Sequence, residues 1–222
     1  RELIAQYLPL ENTTLLELGC GTALATRKIA ETYPSVKIIA TEVDRIQHEK
    51  NLQIDDLPNV SFRYGGAEAI DVEDASVDAV IMLKSLHHVP AELMDKGFEE
   101  IARVLKPGRI AYISEPAFDG EFNEILRLFN DEQQVRQAAF SAIERAIASG
   151  KFELTEEIHC KSLSRFEGFE DFERRIMGAT HSDFAIDDAL FAQIKAAFLP
   201  HIDADGVAEF HNPIRVDILR RV

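Results

Sequence analysis

The sequence predicts an α/β protein built on a mostly parallel, seven-stranded sheet with helices on both faces. Between Thr13 and Glu115, short apolar runs rich in β-branched residues alternate with amphipathic stretches, the pattern of repeated βα units. The apolar runs are nearly continuous, as expected of strands covered on both sides. A period-two pattern closes the chain, where Ile214, Val216 and Ile218 alternate with Arg215 and Asp217.

Taken in order, the predicted strands are 14–18, 36–41, 60–64, 77–83 and 109–114, with helices over 24–33, 45–55 and 91–105. In the last helix Met94, Phe98, Ile101 and Leu105 make one apolar stripe, and Lys106-Pro107-Gly108 stops it. Beyond Glu115 the pattern changes. Residues 122–149 are rich in Leu, Ala, Gln and Glu at helical period and predict an inserted helical layer. A strand over 152–163, helices over 169–177 and 187–199, and the final strand follow. No repeat, low-complexity tract or linker marks a cut, so one domain is expected over 1–222. It comprises a first half (1–118), a mainly helical region (119–206) and a last strand (207–222).

Composition narrows the function. With 222 residues and 46% hydrophobic content the chain can build one substantial core. Thirty-nine acidic against 24 basic residues give a net charge of −15, which repels phosphate backbones and anionic membranes. Nucleic acid and membrane are therefore not expected as partners. Two cysteines, Cys20 and Cys160, make neither a disulfide framework nor a zinc motif. No apolar run approaches the roughly 20 residues of a membrane span, and no signal peptide is visible. A cytoplasmic protein, monomer or homodimer, without a bound metal is the expectation. Because the first residue is Arg1, further sequence is expected upstream.

The chemistry concentrates in Glu17-Leu18-Gly19-Cys20-Gly21-Thr22-Ala23, where a strand runs into a glycine-rich turn and then a helix. Glycines let a ligand approach the main chain, and the helix N-terminus adds backbone N–H groups. A nicotinamide-binding loop needs a third glycine for helix packing; Leu24 stands there instead, which weighs against a dinucleotide oxidoreductase. Glu42, closing the second strand, can accept hydrogen bonds from ribose hydroxyls, with Asp44 as the weaker alternative. Gly65-Gly66-Ala67-Glu68 follows the third strand, and Leu83-Lys84-Ser85-Leu86-His87-His88-Val89 the fourth.

Together these segments, from Leu15 to Pro116, resemble the class I S-adenosylmethionine-dependent methyltransferases. Leu86-His87-His88-Val89 is similar to the corresponding segment of the ubiquinone and menaquinone biosynthesis type. The resemblance implies a Rossmann-like fold with a helical cap after strand 5. It also implies S-adenosyl-L-methionine as cofactor, S-adenosyl-L-homocysteine as product, and methyl transfer to a small-molecule acceptor. A non-catalytic, cofactor-binding or partner-binding protein of the same fold is the alternative. Cofactor contacts are expected from Glu17, Gly19, Cys20, Gly21, Glu42, Val43, Ala67, Glu68 and Lys84. The family often has an aspartate where Gly66 stands, so Glu68 is a candidate to supply the missing bond to adenine.

Methyl transfer from an activated donor needs alignment and exclusion of water more than a charged catalyst. An oxygen or acidic carbon acceptor gains from a base, for which His87 and His88 are the candidates; equally, they pack under the following helix and shape the cofactor pocket. Glu115, Phe118, Phe122 and His181 are the candidate acceptor contacts. Against this, Glu115 reads as a structural carboxylate, the two phenylalanines as core, and Thr180-His181-Ser182-Asp183 as a turn and cap, with Asp183 or Asp187 capping the next helix. Arg165, Arg174 and Arg175 either bind a substrate carboxylate or form surface ion pairs.

Overall fold

The computed structural model describes residues 2–178 and 184–222. Its strands are β1 (Thr14–Leu18), β2 (Lys37–Glu42), β3 (Val60–Tyr64), β4 (Val77–Leu83), β5 (Leu105–Pro116), β6 (Phe152–Phe166) and β7 (Ala208–Arg221). They form one sheet in the order β3-β2-β1-β4-β5-β7-β6. β1 lies parallel to both β2 and β4, β2 to β3, and β4 to β5. The chain builds outward through β2 and β3 and then returns to the other side of β1. This reversal opens a crevice at the carboxyl ends of β1 and β4, where open α/β sheets bind ligands.

The helices are α1 (Glu2–Tyr7), α2 (Leu24–Thr32), α3 (Arg45–Asn51), α4 (Met94–Val104), α5 (Glu121–Leu126), α6 (Gln133–Ala148), α7 (Phe169–Phe172) and α8 (Asp188–Phe198). The described residues divide into two compact units. One comprises Arg1–Glu115, Gln137–Ile158 and Arg215–Val222; the other comprises Pro116–Arg136 and His159–Ile214.

In the first unit, alternate residues of three strands (Leu16 and Leu18, Val80 and Met82, Ala111 and Ile113) face one core with Met94, Phe98 and Ile101 of α4 and Ala139, Ala142, Ile143 and Ala146 of α6. Their strand neighbours Leu15, Ala79, Ile81 and Tyr112 are also buried, and α2 and α3 pack against β2. The sheet is thus covered on both faces, the physical reason its strands read as unbroken apolar runs. At the opposite ends of the strands Asp78 ties three starts together. It accepts the Thr14 N–H (3.0 Å) and the Lys106 ammonium (2.8 Å).

The second unit has its own core, made of Ile125, Phe166, Phe169, Phe172, Ile194, Phe198, Ala208 and Phe210. Phe172 is its hub, with ring centroids of Phe198, Phe166 and Phe169 at 4.8, 5.5 and 5.8 Å.

Three expectations are corrected. The helical layer over 122–149 is broken, because Asn130 and Asp131 favour a turn: Asn130 bonds Glu132 (2.9 Å) and the Asp131 carboxylate accepts the Gln133 N–H (3.1 Å), starting α6 afresh. β5 starts at Leu105 rather than at 109, so Leu105 leaves the apolar stripe of α4. Leu105 pairs with Val77 across a register shift, an irregularity that accommodates Pro107 and the left-handed Gly108 (φ +75°). The helix over 169–177 continues past Phe172 only as a π-helical stretch, Glu173–Met177. Asp187 caps α8, its carboxylate accepting the Leu190 N–H at 2.8 Å. Thr180, His181, Ser182 and Asp183 lie outside the described residues.

Candidate active site

β1 delivers the chain into the glycine loop, and neighbouring elements hold that loop from three sides. The Thr41 carbonyl at the end of β2 accepts the Gly19 and Cys20 N–H groups (3.0 and 2.9 Å). A carboxylate oxygen of Glu42 accepts the Gly21 N–H (2.8 Å), and the buried Asn51 amide donates to the Gly21 carbonyl (2.8 Å). Gly19 is obligatory for two reasons. Its φ of +74° is left-handed, and a Cβ there would lie 2.7 Å from Cβ of Ser85. That approach draws the ends of β1 and β4 together, and the Ser85 hydroxyl completes it by donating to the Leu18 carbonyl (2.7 Å).

Glu42 is buried, and its other oxygen accepts the N–H groups of Val43 (2.8 Å) and Asp44 (2.9 Å). A carboxylate has about four lone-pair sites, so one is left for a ligand hydroxyl on the oxygen that faces Gly21. Asp44 is committed elsewhere, capping α3 through Ile46 N (2.9 Å) and Gln47 N (3.3 Å). Asp44 thus has one oxygen engaged in the cap, while Glu42 is the acid that also holds the glycine loop, through the Gly21 N–H. The Val43 side chain beside it is 55% exposed.

Glu17, in β1 two residues before Gly19, is buried and takes a hydrogen bond from the Thr26 hydroxyl (2.6 Å). Burial pushes its carboxyl up to about 7, against the Thr26 bond, which lowers it. In the unfolded chain this group ionises near 4.5. The folded state therefore carries a penalty that is absent below about 4.5, grows between 4.5 and 7, and is complete above 7. Glu17→Gln should stabilise the protein by about 3 kcal/mol at pH 8 and by almost nothing at pH 4. Denaturant unfolding at the two pH values checks this, and an equal effect at both would refute it. Burial, with Glu17 and Glu42 nearby, also pushes the Cys20 thiol up to about 12. It is an inert small residue of the loop, not a nucleophile.

After β3, the Glu68 carboxylate folds over Gly66, so that a side chain at residue 66 would require the Glu68 side chain to move. Glu68 thus occupies the space a residue-66 side chain would fill. The Ala67 side chain turns instead into the core against Gly97 of α4. Lys84, exposed, has left-handed backbone (φ 59°), and its N–H donates to the Ser114 carbonyl (2.6 Å).

The fourth strand ends in a pair that sequence reading kept apart. Glu115, fully buried at the end of β5, accepts the Leu86 N–H on one oxygen (2.8 Å) and bonds Nδ1 of the buried His87 with the other. The exposed His88 ring lies against His87, with centroids 4.1 Å apart. Glu115 therefore acts on His87 and has both oxygens engaged within the protein.

The remaining candidates belong to the second unit. Phe122 stacks on Phe166 at 5.6 Å in its core, as the packing alternative required. Phe118 lies beneath two guanidinium groups, Arg127 at 5.2 Å and Arg136 at 5.9 Å. Arg174 and Arg175 pair with Asp171, and Arg165 with Glu167 and Glu209, the ion-pair reading of these residues. Sequence reasoning missed Thr26, Thr41, Asn51 and Ser85. Ser85 alone had a signal, its place inside the Leu83–Val89 segment.

A mostly parallel sheet with a glycine loop at its switch point and an acid closing the second strand has the layout of an α/β fold that binds a nucleotide-like ligand at the strand ends. Residues 15–108 match a family model described as a methyltransferase domain. Over that stretch the chain is similar to the class I S-adenosylmethionine-dependent methyltransferases. It is 39% identical over 104 residues to an uncharacterized methyltransferase of Schizosaccharomyces pombe, covering 46% of this chain and 39% of that one. It is 33% identical over 112 residues to the 27-O-demethylrifamycin SV methyltransferase of Amycolatopsis mediterranei, covering 47% and 39%. The chain thus spans about two-fifths of the length of these curated relatives. The solved YcgJ protein of a Bacillus shares its fold, with a TM-score of 0.66 at 18% identity over 99% of this chain and 96% of that one. Among the described residues, no helix is long and apolar enough to cross a membrane.

Proposed function

We propose that the protein transfers a methyl group from S-adenosyl-L-methionine to a small-molecule acceptor that must lose a proton, with His87 as the general base. The observation that carries this reading is the bond between His87 Nδ1 and Glu115. A carboxylate at Nδ1 fixes the ring's orientation and stabilises the imidazolium that forms when the ring takes up a proton. Glu115 is the positioning residue, itself held by the Leu86 N–H. A hydroxyl or an acidic carbon is the matching acceptor class, since a neutral amine or a thiolate needs no such base.

The residues present fit the cofactor. A left-handed loop stripped of Cβ atoms at Gly19 and Gly21 admits a close ligand, the free lone pair of Glu42 suits a ribose hydroxyl, and Glu68 over Gly66 suits an adenine amino group. When bound, the cofactor supplies an activated methyl group and a neutral leaving thioether. The chain's own work is to hold the two reactants in line, keep water out and take up the acceptor's proton. The acidic net charge supports a small molecule over nucleic acid.

Calorimetry tests the first half of this reading: absence of binding at millimolar S-adenosyl-L-methionine would overturn it. Glu42→Ala should weaken binding by about 1 to 3 kcal/mol, the range for charge-assisted hydrogen bonds. Unchanged affinity would mean that another group holds the ribose.

A further inference from the structure

α1 and α2 flank a second concavity in the first unit, a groove of about 680 Å³ whose size suits a small-molecule ligand. Ile4, Leu10, Leu24, Ala25, Ile29 and Tyr33 wall it. Leu24 is 77% exposed there, although Thr26 in the same turn points inward, buried against Glu17. Single exposed leucines are ordinary; this one continues an apolar wall.

The groove also holds one cation, Lys28. Its neighbour Arg27 takes two carboxylates, Glu31 at 3.2 Å and Asp56 at 2.6 Å. Lys28 has no ion pair among the described residues, in a chain where acids outnumber bases 39 to 24. An unneutralised ammonium on an apolar stem, set among apolar walls, selects a ligand with both characters. A purely polar anion leaves the walls wet, and a neutral hydrocarbon leaves the charge unmatched.

We propose that this groove binds a single-chain carboxylate amphiphile, its tail along Leu24 and Ile29 and its carboxylate on Lys28. The proposal does not rest on the methyl-transfer reading. Calorimetry on the whole chain, with decanoate and decanol as probes below their aggregation concentrations, tests it. Saturable one-to-one binding of decanoate is expected. Lys28→Gln should weaken decanoate about tenfold, the loss of one charge-assisted bond, and leave decanol unchanged. Leu24→Asp should abolish binding of both; because Leu24 is exposed, its thermal unfolding midpoint should match that of the parent. Absence of saturable decanoate binding overturns the proposal, as does binding that neither substitution alters. It also falls if light scattering finds a stable dimer that Leu24→Asp converts to monomer, since the groove then belongs to a second copy.

Discussion

Replacing His87 with alanine should lower turnover by about 10²- to 10⁴-fold, the usual contribution of a general base, while cofactor affinity stays at the parent value. The asymmetry follows from placement. His87 is buried on Glu115 just after β4, whereas the glycine loop, the proposed cofactor site, is braced by Thr41, Glu42 and Asn51. Single-turnover methyl transfer alongside calorimetry separates the two quantities. His88→Ala is the control: its ring is exposed, so turnover should be largely kept. Full turnover in His87→Ala would remove the base from the mechanism, and a parallel loss of cofactor affinity would reduce His87 to a structural residue. Glu115→Gln should fall between, because its amide can satisfy only one of the two donors, Leu86 N–H or His87 Nδ1–H, with its oxygen.

Phe172→Ala should cost about 3 to 5 kcal/mol, the range for removing a large aromatic from a packed interior. Phe172 is fully buried and meets Phe166, Phe169 and Phe198 at ring distances that favour aromatic pairing. The damage should be local. The second unit has a core of its own, so hydrogen exchange should rise first in 116–136 and 159–214 and much less in β1 to β4. A loss below 1 kcal/mol, or uniform exchange across the chain, would show that this core is not an independent packing unit.

The legible parts of this protein share one property, short range along the chain. β1, β3 and β4 begin and end where the apolar runs do, and the glycine loop lies where Gly19 and Gly21 place it. The Phe122 stretch was less legible, because helical period survives a two-residue turn signal such as Asn130-Asp131. β5 was extended by its partner: Leu105 becomes strand because Val77 lies beside it, a reason no local pattern contains. At the site, Glu42 was legible as the acid closing the second strand, with Asp44 two residues on as the weaker alternative. In the structure Asp44 caps α3 through Ile46 and Gln47, and Glu42 braces the glycine loop through Gly21.

Sequence by itself determined the alternating βα class, the glycine loop, the acid at the second strand and the two histidines, since each rests on residue type and spacing. Tertiary structure alone decided the pairing of Glu115 with His87, the Ser85 contact that makes Gly19 irreplaceable, and the raised ionisation of Glu17. The physical reason is that these depend on burial and on partners 28, 66 and 9 residues apart. Desolvation and hydrogen bonding act through space, and only the packed sheet brings those groups within reach.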